Sequence, residues 1–592
     1  MMWRRFANVL LGVLLVGAFA LSGCGSGGGG SDDGGGVLPS TPPVEPPVVN
    51  VFSLLVESPT TLLFDVTKIT IASPPVIDFT VSDPAGRGAI DLALGATSGN
   101  LARVRFSMAK LVPGTLYDPD SWFDYVTGER LAANLVDHGD GSYTYTFLKD
   151  LGAYDAAIPY EASRTHRLAM QSSGGSWDAV NLIEDFVPDQ LPGPYTLPLT
   201  RDIVTTAACN ECHGELTLHG SRYDTRYCVV CHNPTLGEGD FTVMVHSIHA
   251  AHMRTNEFEL GGHTYGEVTY PQDLRHCLKC HDGADGDSYK TRPSAQACTA
   301  CHDGLDLEAG TIDGVPGAHL VLVDNQACHL CHTEDNIVQK HTTDNATPNN
   351  PTVPAGAANF TYEISDVGVN ASDQPVVTFR IQKDGVPASF NAYGPGAVLL
   401  TGFTGSPSFL VAYAMPEEGF DAPADYDNLG KAAGQPVSVS ITNAWNGTQG
   451  SLSGPDANGW YVATLNGSAG AGRFPAGATM RAVALQGYFT QVSPAIARHT
   501  VSVVRGVTGD VVRRKVVDPA NCAKCHEWFE GHGGNRVYET QVCVTCHIPN
   551  LSSSGRGANL STYVPGSNAS TDATIAEVGG CLLYTSDAAD EL

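Results

Sequence analysis

The stretch Cys209-Asn-Glu-Cys212-His213, then His219-Gly220-Ser221-Arg222, then Cys228-Val-Val-Cys231-His232-Asn-Pro234 has the pattern of a segment that holds a cofactor rather than one that buries its own side chains. The same order returns as Cys522-Ala-Lys-Cys525-His526, His532-Gly533-Gly534-Asn535-Arg536 and Cys543-Val-Thr-Cys546-His547-Ile-Pro549. In both, a histidine stands ten residues after the first cysteine, the offset a duplicated unit produces, so His532 inherits whatever role His219 has. Between them lie three more copies of Cys-x-x-Cys-His: Cys277/Cys280/His281, Cys298/Cys301/His302 and Cys328/Cys331/His332.

Seven copies consume fourteen of the 16 cysteines, whereas chance at this composition predicts about 0.01 copies. Two thiols one turn apart reach the two vinyl groups of a haem, and the adjacent histidine becomes the axial ligand beneath the iron. Zinc ribbons also pair Cys-x-x-Cys units but have no reason to place a histidine after every one, and disulfides have no need of it. The pattern therefore implies seven haem c groups in this chain, each covalently held by a short segment.

A haem that only passes electrons fills both axial positions, while one that reduces a substrate keeps one open. From Cys209 to His341 there are five proximal histidines and nine others: His219, His246, His249, His252, His263, His276, His319, His329 and His341. Five distal ligands are needed, so bis-histidine ligation can be supplied throughout. Met244 and Met253 are the only methionines there, which favours a low-potential set. His246, His249 and His252 follow one another at i, i+3 and i+6, so a helix would present them on one side and could serve two haems. His276 abuts Cys277 and His329 lies inside a motif, so both read as bystanders; so do His138, His166 and His499, outside the haem segments.

In front of each haem cluster the pattern changes to strict alternation. Ile77/Phe79/Val81, Val104/Phe106/Met108 and, after a turn at Asp140-Gly141, Tyr143/Tyr145/Phe147 read as strands. Val377/Phe379/Ile381 before Asp384-Gly385, and Tyr461/Ala463/Leu465 after Asn458-Gly459, do the same. The expected architecture is multidomain, with all-β sandwich or barrel domains alternating with mostly coil and short-helix multihaem domains. Its parts are a β-domain at 51–200, a pentahaem domain at 201–345, a second β-domain at 346–505 and the start of a second multihaem domain at 506–580. The haem segments carry little periodicity, so their cores are expected to be made by the cofactors.

The ends carry their own signals. Arg4 and Arg5 lead into an apolar run from Phe6 to Leu21 and then Leu21-Ser22-Gly23-Cys24, a lipoprotein cleavage box that makes 1–24 a signal peptide and Cys24 the acylated first residue. The apolar run is short for a bilayer crossing of roughly 20 residues. Residues 25–50, rich in Gly and then Pro, read as a flexible linker. Residues 581–592, beginning Cys581-Leu-Leu-Tyr-Thr-Ser, read as the translation of a transposase-type sequencing adapter and are left out of the fold. A formal charge of −29 excludes nucleic acid as a partner, since phosphate would be repelled.

The order lipobox, β-domain, five haems, β-domain, haems resembles the outer-membrane decahaem cytochromes of the OmcA/MtrC family. The likeness is specific at Cys-x-x-Cys-His followed by His-Gly-x-Arg, at the His246-x-x-His249 pair, at Tyr270-Pro271-Gln272-Asp273-Leu274 and at His319, and it is loose in the β-domains. It implies that His219, His246, His249, His319 and His341 are the distal ligands of the first cluster. It also implies a lipid-anchored protein of the outer membrane, exposed at the cell surface, that takes electrons from periplasmic cytochromes through a porin-cytochrome conduit and passes them to extracellular Fe(III) or Mn(IV) oxides, metal ions or flavins. Seven haems depart from the family's ten, and the natural gene product is expected to continue with three more. Two other functions compete: a multihaem reductase of a small inorganic substrate at a five-coordinate haem, and a filament-forming cytochrome. Neither β-segment shows a catalytic constellation, so catalysis would be at most metal reduction without a dedicated substrate pocket.

Overall fold

The computed structural model describes residues 50–93, 101–114, 119–153, 158–322, 328–416, 422–431 and 434–548. The signal peptide, Cys24, the linker before residue 50 and the residues after 548, including 581–592, lie outside the described residues. Among the described residues no helix is long and apolar enough to cross a membrane.

The first alternating segment forms two facing sheets. One contains β1 (Val51–Ser53), β2 (Leu63–Thr70), β3 (Val76–Ser82), β4 (Gly88–Ile90), β7 (Leu135–Asp137) and β8 (Ser142–Thr146), in the order β1-β4-β3-β8-β7 with β2 also on β3. The other runs β10-β9-β5-β6, from β5 (Leu101–Val112), β6 (Ser121–Leu131), β9 (His166–Ser172) and β10 (Val180–Phe186). Period-two alternation puts Ile77, Phe79 and Val81 inward from β3, and all three are buried. Phe106 of β5 stacks on Tyr145 of β8 at 4.3 Å between ring centres, so the two sheets close on aromatic rings.

The second segment repeats the plan. One sheet runs β11-β12-β16-β15, from β11 (Phe360–Val369), β12 (Pro375–Lys383), β15 (Gly450–Ser453) and β16 (Tyr461–Leu465). The other runs β14-β13-β17-β18, from β13 (Ser408–Ala414), β14 (Val437–Ser440), β17 (Thr479–Gln486) and β18 (Val503–Gly506). Val377, Phe379 and Ile381 are fully buried, and Phe379 meets Phe409 edge-on at 5.0 Å. Asp384 and Gly385 both have positive φ, 53° and 78°, the backbone that a two-residue hairpin turn needs.

The haem segments are short helices joined by coil. α1 (Thr206–His213), α2 (Thr225–Cys231), α3 (Phe241–His249), α4 (Ala295–Cys301) and α5 (Glu334–Lys340) belong to the first, and α6 (Pro519–His526) and α7 (Thr540–Cys543) to the second. Their starts are capped by side chains: Thr205 accepts from Ala208 N, Asp224 from Arg226 N, Ser294 from Ala297 N and Asp518 from Ala520 N. None of the five hydrophobic clusters among the described residues takes a buried member from 233–345.

The second motif of each pair leans on its own β-domain. Tyr227 and Val230 of α2 pack with Ala109, Leu111, Trp122 and Ala169, while Val542 of α7 packs with Leu410 and Ala484, and Ile548 with Ala412 and Ala482. The duplication in sequence is thus a duplication of docking. Buried Arg167 strengthens the first seam: it forks onto Asp185 at 2.7 and 2.8 Å, donates to the Arg226 carbonyl of α2 at 3.1 Å and lies 4.1 Å over the Trp122 ring.

Candidate haem-binding sites

A helical turn places Cys i and Cys i+3 on one side with His at i+4 on the same face, and α1, α2, α4 and α6 each carry two thiols in this way. None of the fourteen motif cysteines forms a disulfide. Among the described residues no three His, Cys, Asp or Glu side chains gather as a zinc centre requires.

Exposure differs among the thiols. Cys331 is exposed, as are Cys212 and Cys298, while the other motif cysteines are half-buried. At Cys331 the reason is local: its single turn, Cys328–Cys331, buries no residue, so the chain by itself does not close over the thiol. The turn is tied down by its backbone, with Asn336 Nδ2 donating to the Cys331 carbonyl at 3.2 Å. Protein atoms shelter most of the other thiols partly.

Six motif histidines each face a second histidine. The ring centres are 6.1 Å apart for His213 and His249, 5.9 Å for His232 and His219, and 6.2 Å for His281 and His246. They are 6.3 Å for His302 and His341, 6.3 Å for His332 and His319, and 6.1 Å for His547 and His532. Metal–nitrogen bonds of about 2 Å, with about 1.1 Å from nitrogen to ring centre, put two imidazoles sharing one metal about 6.2 Å apart. Ordinary ring packing spans about 4.5–7 Å, so distance alone does not decide. The repetition does: each pair joins one motif histidine to one non-motif histidine.

Orientation agrees. The Nδ1–H of His232 donates to Gly239 O, of His246 to Thr242 O, of His249 to Val245 O and of His341 to Ile337 O, all at 2.8 Å. His281 does so to Gly286 O at 3.1 Å and His319 to Leu320 O at 2.8 Å. A carbonyl can only accept, so Nδ1 carries the proton and Nε2 keeps its lone pair for a metal. Burial also holds His246, His249, His219 and His532 below the ordinary imidazole value and lowers His281 to about 4, which keeps them neutral and able to ligate.

Apolar side chains left uncovered beside the pairs complete the fit: Leu218 next to His219, Leu278 inside the third motif, Leu320 next to His319 and Leu330 inside the fifth, the last two 69% and 68% exposed. A porphyrin face between the imidazoles is what would cover them, and Cys331 beside Leu330 with them. Thiols, facing neutral imidazoles and uncovered leucines together suit a haem.

His246 and His249 sit on α3 and serve different motifs, whereas the helix ends at His249. His252 falls in the following 3-10 turn and is exposed, so the expected run of three on one helical side stops at two. His138 is bonded through Nε2 to Thr144 at 2.9 Å, His166 is sealed inside the first β-domain and His499 bonds Glu530 at 2.6 Å. Sequence reasoning missed the aromatic walls: Tyr270 lies edge-on to His249 and Tyr289 to His281, each at 5.5 Å. It also missed Asp282, which accepts from Thr205 N at 2.8 Å and Thr205 Oγ1 at 2.6 Å and so ties the start of α1 to the third motif.

The thiols are near enough to act on one another. Burial raises Cys228 to about 12 and Cys209 and Cys277 each to about 11, and raises Cys298 as well; nearby anionic groups, Asp224 for Cys228 and neighbouring thiols for all four, add lesser contributions. Cys212 Sγ lies 3.7 Å from Lys524 O and Cys525 Sγ lies 3.7 Å from Glu211 O, a reciprocal contact of α1 with α6 that joins the two haem segments. Buried Lys279 pairs with Glu211 at this junction. His526 has no second histidine ring opposite it among the described residues; its Nδ1–H donates to Pro271 O at 3.1 Å.

Residues 201–345 match the family model for outer-membrane cytochrome MtrC/MtrF-like domains II/IV. A curated relative, the multiheme cytochrome MtrC of Shewanella baltica (strain OS185), is 30% identical over 302 residues, covering 47% of this chain and 41% of the relative, so the match spans about two fifths of that protein's length. In three dimensions the chain is similar to the crystal structure of the outer membrane decaheme cytochrome OmcA, with TM-score 0.59 at 20% identity over 84% of this chain and 79% of that one. It is also similar to the crystal structure of MtrC from Shewanella baltica OS185, with TM-score 0.58 at 19% identity over 88% and 85%. Multidomain architecture, β-domains alternating with coil and short-helix segments, is what these structures share with it. Residues 201–345 are accordingly similar to the MtrC/MtrF-like domains II/IV, and the chain shares its fold with the OmcA and MtrC structures.

Proposed function

We propose that this protein is an electron carrier whose two haem segments form one conducting array at the cell surface. The reading rests on the six facing histidine pairs, which would supply two imidazole ligands to each of six haems and leave no open position for a substrate there. Haem c bound there supplies a one-electron iron couple.

The chain's own residues do the rest. Cys209/Cys212, Cys228/Cys231, Cys277/Cys280, Cys298/Cys301, Cys328/Cys331, Cys522/Cys525 and Cys543/Cys546 would hold seven haems by thioether links. His213, His232, His281, His302, His332, His526 and His547 are the proximal ligands, and His249, His219, His246, His341, His319 and His532 oppose the first five and the last of them, in that order. The backbone carbonyls that accept from Nδ1 hold the rings in place, and the α1–α6 contact carries the array from one segment to the other. The β-domains, 51–200 and 346–505, are scaffolds on which the second motif of each pair docks.

The reading extends to outer-membrane attachment through acylated Cys24, to electron supply from periplasmic cytochromes through a porin-cytochrome conduit, and to extracellular metal oxides, metal ions or flavins as acceptors. Its support is the sequence resemblance and the similarity of fold. A spectroscopic redox titration of the haem-loaded protein tests it: low-spin, bis-imidazole signals at six sites and a spread of low midpoint potentials are expected. A predominantly high-spin spectrum would transfer the argument to a reductase.

A further inference from the structure

Six of the histidines with a bonded Nδ1 find their acceptor within seven residues of themselves: Thr242, Val245 and Ile337 one turn back, Leu320 next in sequence, and Gly239 and Gly286 a few residues on. His526 alone among them reaches 255 residues away, to Pro271 O in the other haem segment. We infer that the Pro271–Gln272 loop is the positioning element of the Cys522/Cys525/His526 site, so that a residue of the first segment sets the donor strength of an axial ligand in the second.

The loop is held for this task from two sides. Gln272 Nε2 donates to Cys525 O at 3.0 Å, one of the last-turn carbonyls of α6 that the helix itself leaves without a partner. Gln272 Oε1 accepts from His276 Nδ1 at 2.9 Å, and His276 is buried. Both ends of the amide are committed, so Gln272 cannot turn away without orphaning two polar groups. Next to it, Asn349 donates through N and Nδ2 to buried Glu527, the residue after His526, at 3.0 and 2.5 Å. The end of α6 is therefore gripped by Gln272 of the first haem segment and by Asn349 at the start of the second β-domain, and His526 is gripped with it.

A fixed Nδ1–H···O=C bond makes the imidazole a stronger donor and favours oxidised iron, so releasing it should favour the reduced state. The inference rests on the haem reading above. The test uses the haem-loaded full chain with Gln272→Leu, which removes both bonds, and Gln272→Glu, which keeps an acceptor for His276 and removes the donor to Cys525 O. Potentials and low-temperature magnetic spectra of the individual haems are read. One component of seven is expected to gain about tenfold in its reduced-to-oxidised ratio at fixed potential, about 59 mV for one electron, with an altered ligand-field signature at that component. If all seven components of Gln272→Glu stay where they are in the wild type, or several move together, Gln272 is merely structural and the inference is overturned. Should Gln272→Leu lose haem, Gln272→Glu decides by the same criterion. A wild type that carries no haem would instead sink the functional reading, so the two failures are distinct.

Discussion

Replacing His249 by alanine should open one axial position and leave the other five paired sites closed. His249 faces His213 at 6.1 Å, while its neighbour on α3, His246, faces His281 at 6.2 Å, so one helix divides its two imidazoles between two sites. His249→Ala is expected to turn one seventh of the haem absorbance high-spin, His246→Ala another seventh, and the double variant two sevenths, because the two rings share no partner. The structural cost is small. The variant loses the bond to Val245 O, worth about 1 kcal/mol, and the edge contact with Tyr270, worth about 0.5–1.5 kcal/mol, so about 2 kcal/mol spread over a covalently stapled segment leaves it folded. The assay is room-temperature absorbance with cyanide or carbon monoxide added, since only an open position binds them. A His249→Ala protein with no more open haems than the wild type, or with two more, would refute the pairing.

Three further outcomes are expected. His166, fully buried in the first β-domain between Tyr125, Tyr160 and Phe186 with Lys110 and Glu161 nearby, is lowered to about 4 chiefly by burial. Its stabilising contribution is complete above the unfolded value of 6.5 and is lost as pH falls towards 4, on the order of 3 kcal/mol; His166→Phe should flatten that window in pH-dependent denaturant melts. Arg167→Met should cost about 2–4 kcal/mol and expose the seam between the first β-domain and α2 to limited proteolysis, since it strips Asp185 of its forked partner while Arg226 still holds one oxygen at 2.7 Å. Asp510 is held below its usual 3.8 chiefly by the hydrogen bond from Arg481, so its contribution is present above that value and disappears as pH falls below it; Asp510→Asn should lower stability at neutral pH by no more than about 1 kcal/mol and blunt the acid limb, read by thermal melts at pH 2–5.

Much of this was legible because it is local. Cys-x-x-Cys-His names its own chemistry, and alternation such as Ile77/Phe79/Val81 states which face of a strand is inside. The equal offset of His219 and His532 reappears as shared backbone: both have positive φ, 49° and 56°, each followed by a glycine with φ of 85° or 65°, and each faces the second motif histidine of its pair. The rest depends on contacts between distant segments. Nothing in the sequence says that His341 belongs with His302 rather than His332, or that Lys279 is buried against Glu211 at the junction. The open setting of Cys331 was equally out of reach, because the motif is the same seven times over and only packing by distant residues separates an enclosed thiol from an exposed one. The end of α3 at His249 was also hidden, since Ala250 and Ala251 are good helix formers and it is the tertiary setting that turns the chain there. Tyr270-Pro271-Gln272 stood out by resemblance, but its use became visible only once His526 was placed beside it.

Everything above depends on covalently held haem occupying the gaps between facing histidines. Intact-mass spectrometry of the chain matured in a host competent for cytochrome c assembly measures this directly. The account predicts added mass for seven tetrapyrroles that denaturation does not remove, falling to six when Cys298 and Cys301 are both replaced by alanine. A chain of unmodified mass, with fourteen alkylatable motif thiols, would contradict it.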